Sequence, residues 1–175
     1  MLMAKARSEI LRNWSMTHWM TLAGIIVIAD QVTKAIATAE LIMYKSVEVM
    51  PMFNFTLLHN EGAAFSFLSD AGGWQRWFFT VISLVVSVLL VFWIKKLKPE
   101  EYIQAVTFSL ILGGAVGNLI DRVRFGYVVD FIEIYWKSNG QHYSWPAFNI
   151  ADSAITIGVI LLIVDTLFPK FFKKS

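Results

Sequence analysis

Two aspartates set in apolar surroundings are the residues of this chain best suited to chemistry. Asp130 lies in Val128-Val129-Asp130-Phe131-Ile132 and Asp152 in Phe148-Asn149-Ile150-Ala151-Asp152-Ser153. An ionised carboxylate beside so much hydrocarbon is costly, so an acid kept there is by default a functional site. A pair of them suggests carboxylates that share a proton and activate water. Each alone also has a plainer reading, as a helix cap or a salt-bridge partner. Asn149 stands three residues before Asp152, the spacing of an N-cap with the acid in the first helical turn, where the dipole favours negative charge. Val128, Val129, Phe131 and Ile132 would desolvate Asp130 and favour its protonated form. Asp152 is thus expected to ionise more readily than Asp130, although coupled protons belong to the pair.

Other polar residues stand out against the same background. Asp30 and Lys34 are spaced i, i+4, acid before base, and share a helix face. They either neutralise one another inside the bundle or orient the site or a lipid headgroup. Gly113 and Gly117 form a small-xxx-small face for close helix approach. Asn118, Asp121 and Arg122 cluster at the end of that segment, where the arginine can snorkel to phosphate or grip a carboxylate with both arms. In Asn60-Glu61-Gly62-Ala63-Ala64-Phe65-Ser66 the glycine marks a turn. Gly62 and Gly72-Gly73 make the first outer loop the place to look for a lid. His18, His59 and His142 are scattered without His-Glu-x-x-His spacing, so a zinc protease is not indicated. There is no Gly-x-Ser-x-Gly elbow, and no phosphate loop. Nor does any serine mark itself as a partner for Lys34. The chain has no cysteine, which excludes disulfides, thiolate nucleophiles and Cys-ligated metal.

The elements that must hold these residues are membrane helices. Of 175 residues 57% are hydrophobic, above the 45–50% usual in soluble domains, and mean hydropathy is +0.58. Net charge of +2 gives no support to a nucleic-acid role. Four apolar stretches, each close to the roughly 20 residues that cross a bilayer, predict helices over about 17–39, 75–95, 101–121 and 151–169 of a single domain, 1–175. The first resembles a signal peptide in its basic flank, but its length, Asp30 and Lys34 mark it as a retained helix. Lys5, Arg7, Arg12, Lys95, Lys96, Lys98, Lys170, Lys173 and Lys174 fall on one side, against Lys45, Arg122, Arg124 and Lys137 on the other. Nine against four predicts both termini cytoplasmic and the first and third connections outward. Asp130 and Asp152, 22 positions apart, then meet at the outer boundary. In the first outer loop Val47, Val49, Phe53, Phe55 and Leu57 alternate with polar or flexible residues around Pro51, and Tyr127–Trp136 is similarly β-branched and aromatic. This predicts a small outward sheet from about 45–68 and 125–136, resting on the membrane surface. Trp74, Trp77, Trp136, Trp145 and Tyr143 read as an interfacial aromatic belt.

Five motifs in order resemble lipoprotein signal peptidase, also called signal peptidase II: Asp30-Gln31-Val32-Thr33-Lys34, Asn60-Glu61-Gly62-Ala63-Ala64-Phe65, Gly113-Gly114-Ala115-Val116-Gly117-Asn118-Leu119-Ile120-Asp121-Arg122, Val129-Asp130-Phe131 and Phe148-Asn149-Ile150-Ala151-Asp152-Ser153. The likeness spans about Thr17 to Phe168. It implies an α-helical polytopic membrane protein of the bacterial inner membrane, with four transmembrane helices, an extracytoplasmic β-platform and no cofactor or metal. It implies an aspartyl endopeptidase that cuts diacylglyceryl-modified prolipoproteins just before the lipidated cysteine. Its partners would be that substrate, membrane phospholipid and the inhibitor globomycin. The resemblance makes Asp130 and Asp152 the catalytic pair. It makes Asp30, Lys34, Asn60, Gly62, Asn118, Asp121, Arg122, Asn149 and Ala151 substrate-binding or site-supporting residues. Two other classes compete: a small proton-coupled transporter and a non-catalytic lipid or peptide binder. Transporters usually place such acids near the midplane of repeated halves; this chain shows no repeat, and its acids gather at one face.

Overall fold

The computed structural model describes residues 15–62 and 74–168. The basic residues of both ends, Ala63–Ser66 and the Gly72-Gly73 pair of the expected lid lie outside those limits. Four helices carry most of the chain: α1 Met16–Glu40, α2 Trp74–Lys96, α3 Tyr102–Arg124 and α4 Ile150–Leu167. All four are long and apolar enough to cross a membrane. Their outward faces are hydrocarbon, with Ile25, Ile28, Val32 and Ile36 of α1 and Val81, Leu84, Val85 and Val88 of α2 exposed. Their inward faces hold Asp30, Lys34, Thr107, Ser109, Asn118 and Asp121, all buried. An apolar outside around a polar inside is the arrangement expected where lipid, not water, is the solvent.

Helix α3 is the hub and packs against each of the other three, while α1 and α2 barely meet. Close approach explains its glycines. A methyl on Gly117 would come within 2.6 Å of the Asp30 carboxylate, and one on Gly114 would run into the Ala151 carbonyl. Lipid tails give apolar helix faces no hydrophobic reason to associate, so such small-residue contacts carry much of the packing.

Four strands, β1 Ser46–Met50, β2 Phe53–Asn60, β3 Val128–Ser138 and β4 Gln141–Ser144, pair antiparallel in the order β1-β2-β3-β4. The small sheet is thus present, with a fourth strand, β4, that sequence reading does not anticipate. That strand is short and fully exposed and lacks an apolar alternation. Glu133 of β3 ties the sheet together: its Oε2 accepts from Ser46 at 3.1 Å, Asn54 at 3.1 Å and Thr56 at 2.6 Å. Burial pushes its carboxyl upward, but these donors and Ser144 outweigh that and hold it below the usual range. Helix α3 runs on to Arg124, a turn beyond the end expected near residue 121, and α4 closes at Leu167.

Candidate active site

Asp130 and Asp152 come together through one asparagine. Asn149 is the N-cap of α4, and its Oδ1 accepts the Asp152 backbone N–H at 2.9 Å. The cap fixes the amide's orientation, because the oxygen is already committed. Its Nδ2 must then face away, and it donates to Asp130 Oδ1 at 2.7 Å. The other Asp130 oxygen is met from β2. Leu58 is the strand partner of Asp130, so Asn60, two residues on, shares its face. Asn60 Nδ2 donates to Asp130 Oδ2 at 3.0 Å, while Asn60 Oδ1 accepts the Gly62 N–H at 3.0 Å. Asp130 is only 2% exposed. Burial first, and then the charge of Asp152, push its carboxyl up to about 7, against the opposing pull of both amides.

Asp152 is held from α3. Asn118 Nδ2 donates to Asp152 Oδ1 at 2.8 Å. Asp152 is half-buried, and its Oδ2 has no hydrogen bond among the described residues. Asn118 is itself oriented by Lys34, whose ammonium offers only donors and reaches Asn118 Oδ1 at 3.0 Å. The same ammonium meets Asp30 at 2.8 Å and Asp121 at 2.9 Å, so all three of its N–H groups are used. Asp30 accepts the Ala151 N–H at 2.9 Å, and Asp121 accepts the Val129 N–H at 3.1 Å. The charge triad therefore holds the backbone next to each member of the dyad. Burying ions is repaid only by such saturated geometry.

Of the site residues read from sequence, Asp30, Lys34, Asn60, Gly62, Asn118, Asp121, Asn149 and Ala151 join one hydrogen-bonded network with Asp130 and Asp152. Asp30 and Lys34 pair as their spacing suggests, with Asp121 as a second acid that spacing within one helix does not reveal. Arg122 does not grip a carboxylate: among the described residues it forms no ion pair, and its guanidinium lies 5.4 Å over the Phe79 ring. Gln31 was missed as a site residue. Its Nε2 donates to Asp121 at 2.9 Å and to Asp30 and the Gly117 carbonyl at 3.2 Å each. The available signal was a polar residue between Asp30 and Lys34 in an apolar stretch.

Chemically, the arrangement offers one carboxyl that holds a proton near neutrality and a second, half-buried, with an oxygen free of hydrogen bonds among the described residues. It lies at one end of the helix bundle, beside the sheet. The family described as signal peptidase (SPase) II matches residues 22–168. A protein of Acinetobacter baumannii (strain ATCC 17978) named lipoprotein signal peptidase is 55% identical over 150 residues, 86% of this chain and 83% of that protein. One of the same name from Ectopseudomonas mendocina is 55% identical over 148 residues, covering 84% and 86%. A solved structure described as a bacterial membrane enzyme, obtained by the in meso method at 2.3 Å resolution, superposes with a TM-score of 0.77 at 38% identity, covering 94% of this chain and 96% of that one. This multi-pass bacterial membrane protein therefore belongs to the signal peptidase II family of peptidases.

Proposed function

We propose that the chain is an aspartyl endopeptidase that removes signal peptides from diacylglyceryl-modified prolipoproteins, cutting just before the lipidated cysteine. The observation that carries the aspartyl reading is Asn149, whose oxygen holds the Asp152 backbone while its nitrogen holds the Asp130 carboxylate. The substrate follows from family membership and from the names of the relatives. The site faces outward, with Lys95, Lys96 and Lys98 at the opposite, cytoplasmic end.

Water bound at Asp152 Oδ2 attacks the scissile carbonyl carbon and gives that oxygen its proton. Asp130 donates its proton to the carbonyl oxygen as the tetrahedral diol forms. Asp152 then passes the acquired proton to the amide nitrogen, the C–N bond breaks, and Asp130 recovers a proton from the collapsing hydroxyl. Protons balance without metal or covalent intermediate, as in other two-carboxylate proteases. The charge of Arg122 is felt by Asp152, Asp130 and Asp121, and it offsets the concentration of acids. Gly62, Asn60 and Arg122 border the extended substrate segment, and globomycin blocks turnover by occupying the dyad.

Mass spectrometry of the products tests this reading. Purified protein with a lipidated precursor should release the signal peptide and leave a chain that begins with diacylglyceryl-cysteine. A different cleavage point, or equal turnover of unlipidated precursor, would overturn it.

A further inference from the structure

Helix α2 meets the site through its first two turns, and three of the side chains there hold different parts of it. Gln75 and Phe79 pack beneath Gly62, where an added methyl would lie 3.1 Å from each, and Phe79 also carries the Arg122 guanidinium. Arg76 makes the most specific contact. Its Nε donates to the Arg122 carbonyl at 3.1 Å and its Nη2 to the Val123 carbonyl at 3.4 Å. These belong to the last turn of α3, where the Arg122 carbonyl is also met by backbone N–H groups just past the helix, whereas the Val123 carbonyl accepts no backbone N–H among the described residues. At a membrane boundary an unmet carbonyl is costly, and a cation there also suits the helix dipole. The chain then reverses at Gly126, with φ at +89°, and its N–H bonds the Arg122 carbonyl at 3.2 Å. A methyl on Gly126 would meet Arg76 Nη1 at 3.0 Å. The guanidinium thus fills the space that the glycine leaves and closes the turn from outside.

Only three residues separate that turn from Asp130. Its two ends are the helix that supplies Asn118 to Asp152 and the strand that bears Asp130 itself. We propose that Arg76 is a positioning residue for Asp130, acting through the α3–β3 turn. This rests on the peptidase reading above. Without the guanidinium the Val123 carbonyl takes water, the Arg122 carbonyl keeps only its backbone partners, the turn loosens, and water reaches the acid. Arg76→Lys keeps the charge, but its single ammonium centre cannot serve both carbonyls as the planar fork does.

The test is steady-state cleavage of a lipidated precursor across pH, with Asp130→Asn as reference and thermal unfolding in detergent as a check on folding. Arg76→Ala should lower kcat about ten- to a hundredfold while KM changes less than about threefold. The limb of the pH–rate profile that reports Asp130 should move to lower pH, because a hydrated carboxyl ionises more easily. Arg76→Lys should fall between wild type and Arg76→Ala. Gly126→Ala should reproduce the kcat loss, and the double variant should lose less than the product of the two. If Arg76→Ala does not fold, Arg76→Lys and Gly126→Ala decide. Wild-type kcat and pH profile in folded Arg76 variants would overturn the proposal. So would a loss confined to KM, or independent effects of the two positions. An active Asp130→Asn would instead overturn the peptidase assignment beneath it.

Discussion

The two ends of this helix bundle are built on opposite principles. At one end Trp19, Ala23, Leu90, Ile94, Ala105 and Leu112 form a dry cluster held by shape. At the other end Asp30, Lys34, Asn118, Asp121 and Asn149, each at most 5% exposed, are held by saturated hydrogen bonds. The apolar end tolerates change because dispersion contacts are many and individually weak. The polar end does not, since removing one member leaves another buried without a partner. The contrast also locates the chemistry. A carboxyl can keep a proton near neutrality only where its surroundings are dry, and it can be aimed only where its neighbours have no freedom. The polar end supplies both to Asp130: burial raises its proton affinity, and two oriented amides fix its direction.

The contrast breaks most sharply at Lys34. Lys34→Met keeps the volume but strips Asp30 and Asp121 of their cation, which should cost about 3–5 kcal/mol and depress the unfolding temperature in detergent steeply. Adding Asp30→Asn and Asp121→Asn should restore much of that stability without restoring activity, because Asn118 is no longer oriented. If Lys34→Met alone were as stable as wild type, the polar end would not be the tightly coupled unit described. At the dry end, Leu90→Ala should cost about 2 kcal/mol through the cavity it leaves, yet specific activity of the folded protein should stay within about twofold. A large catalytic loss there would mean that the two ends are not separable. A further effect concerns pH. Asp130 binds its proton more tightly in the folded state than in the unfolded, with its carboxyl raised to about 7. Its stabilising contribution is therefore complete below the unfolded value, near 4, and is lost as pH rises through about 7. Asp130→Asn should remove that dependence and raise the unfolding temperature at pH 8 more than at pH 5. An unchanged pH dependence in the variant would contradict the raised carboxyl.

What the sequence makes legible follows from how local each interaction is. The four helices are read from apolar length, and β1 to β3 from β-branched and aromatic alternation. The Asn149 cap is read from a spacing of three. The Asp30–Lys34 pair lies within one helix, whereas the bond from Lys34 to Asp121 joins α1 to α3, and no single stretch encodes it. Arg76 was hidden for a related reason. Between Trp74 and Trp77 it reads as part of an aromatic belt, and its partners are backbone carbonyls of another helix, which have no side-chain signature. Its capping also explains why α3 runs a turn beyond its expected end. Arg76 lies at the same end of the bundle as Arg122 and Arg124. The choice of Asp130 and Asp152 over Asp30 and Asp121 came from the family resemblance. The geometry gives that choice a physical content: Asp30 and Asp121 are spent on Lys34 and backbone N–H groups, whereas Asp152 keeps an oxygen free of hydrogen bonds among the described residues.

The most direct measurement is turnover of a lipidated precursor by Asp130→Asn and Asp152→Asn, each purified and shown to be folded. Asparagine preserves the shape of aspartate while it removes the carboxyl's titratable proton and the charge, and at position 130 it keeps an acceptor for only one of the two amides that meet Asp130. The account predicts that each substitution alone lowers kcat by at least about a thousandfold and that the pair together does little more, because the two carboxyls act as one unit. Cleavage by either folded variant within about tenfold of wild type would contradict it.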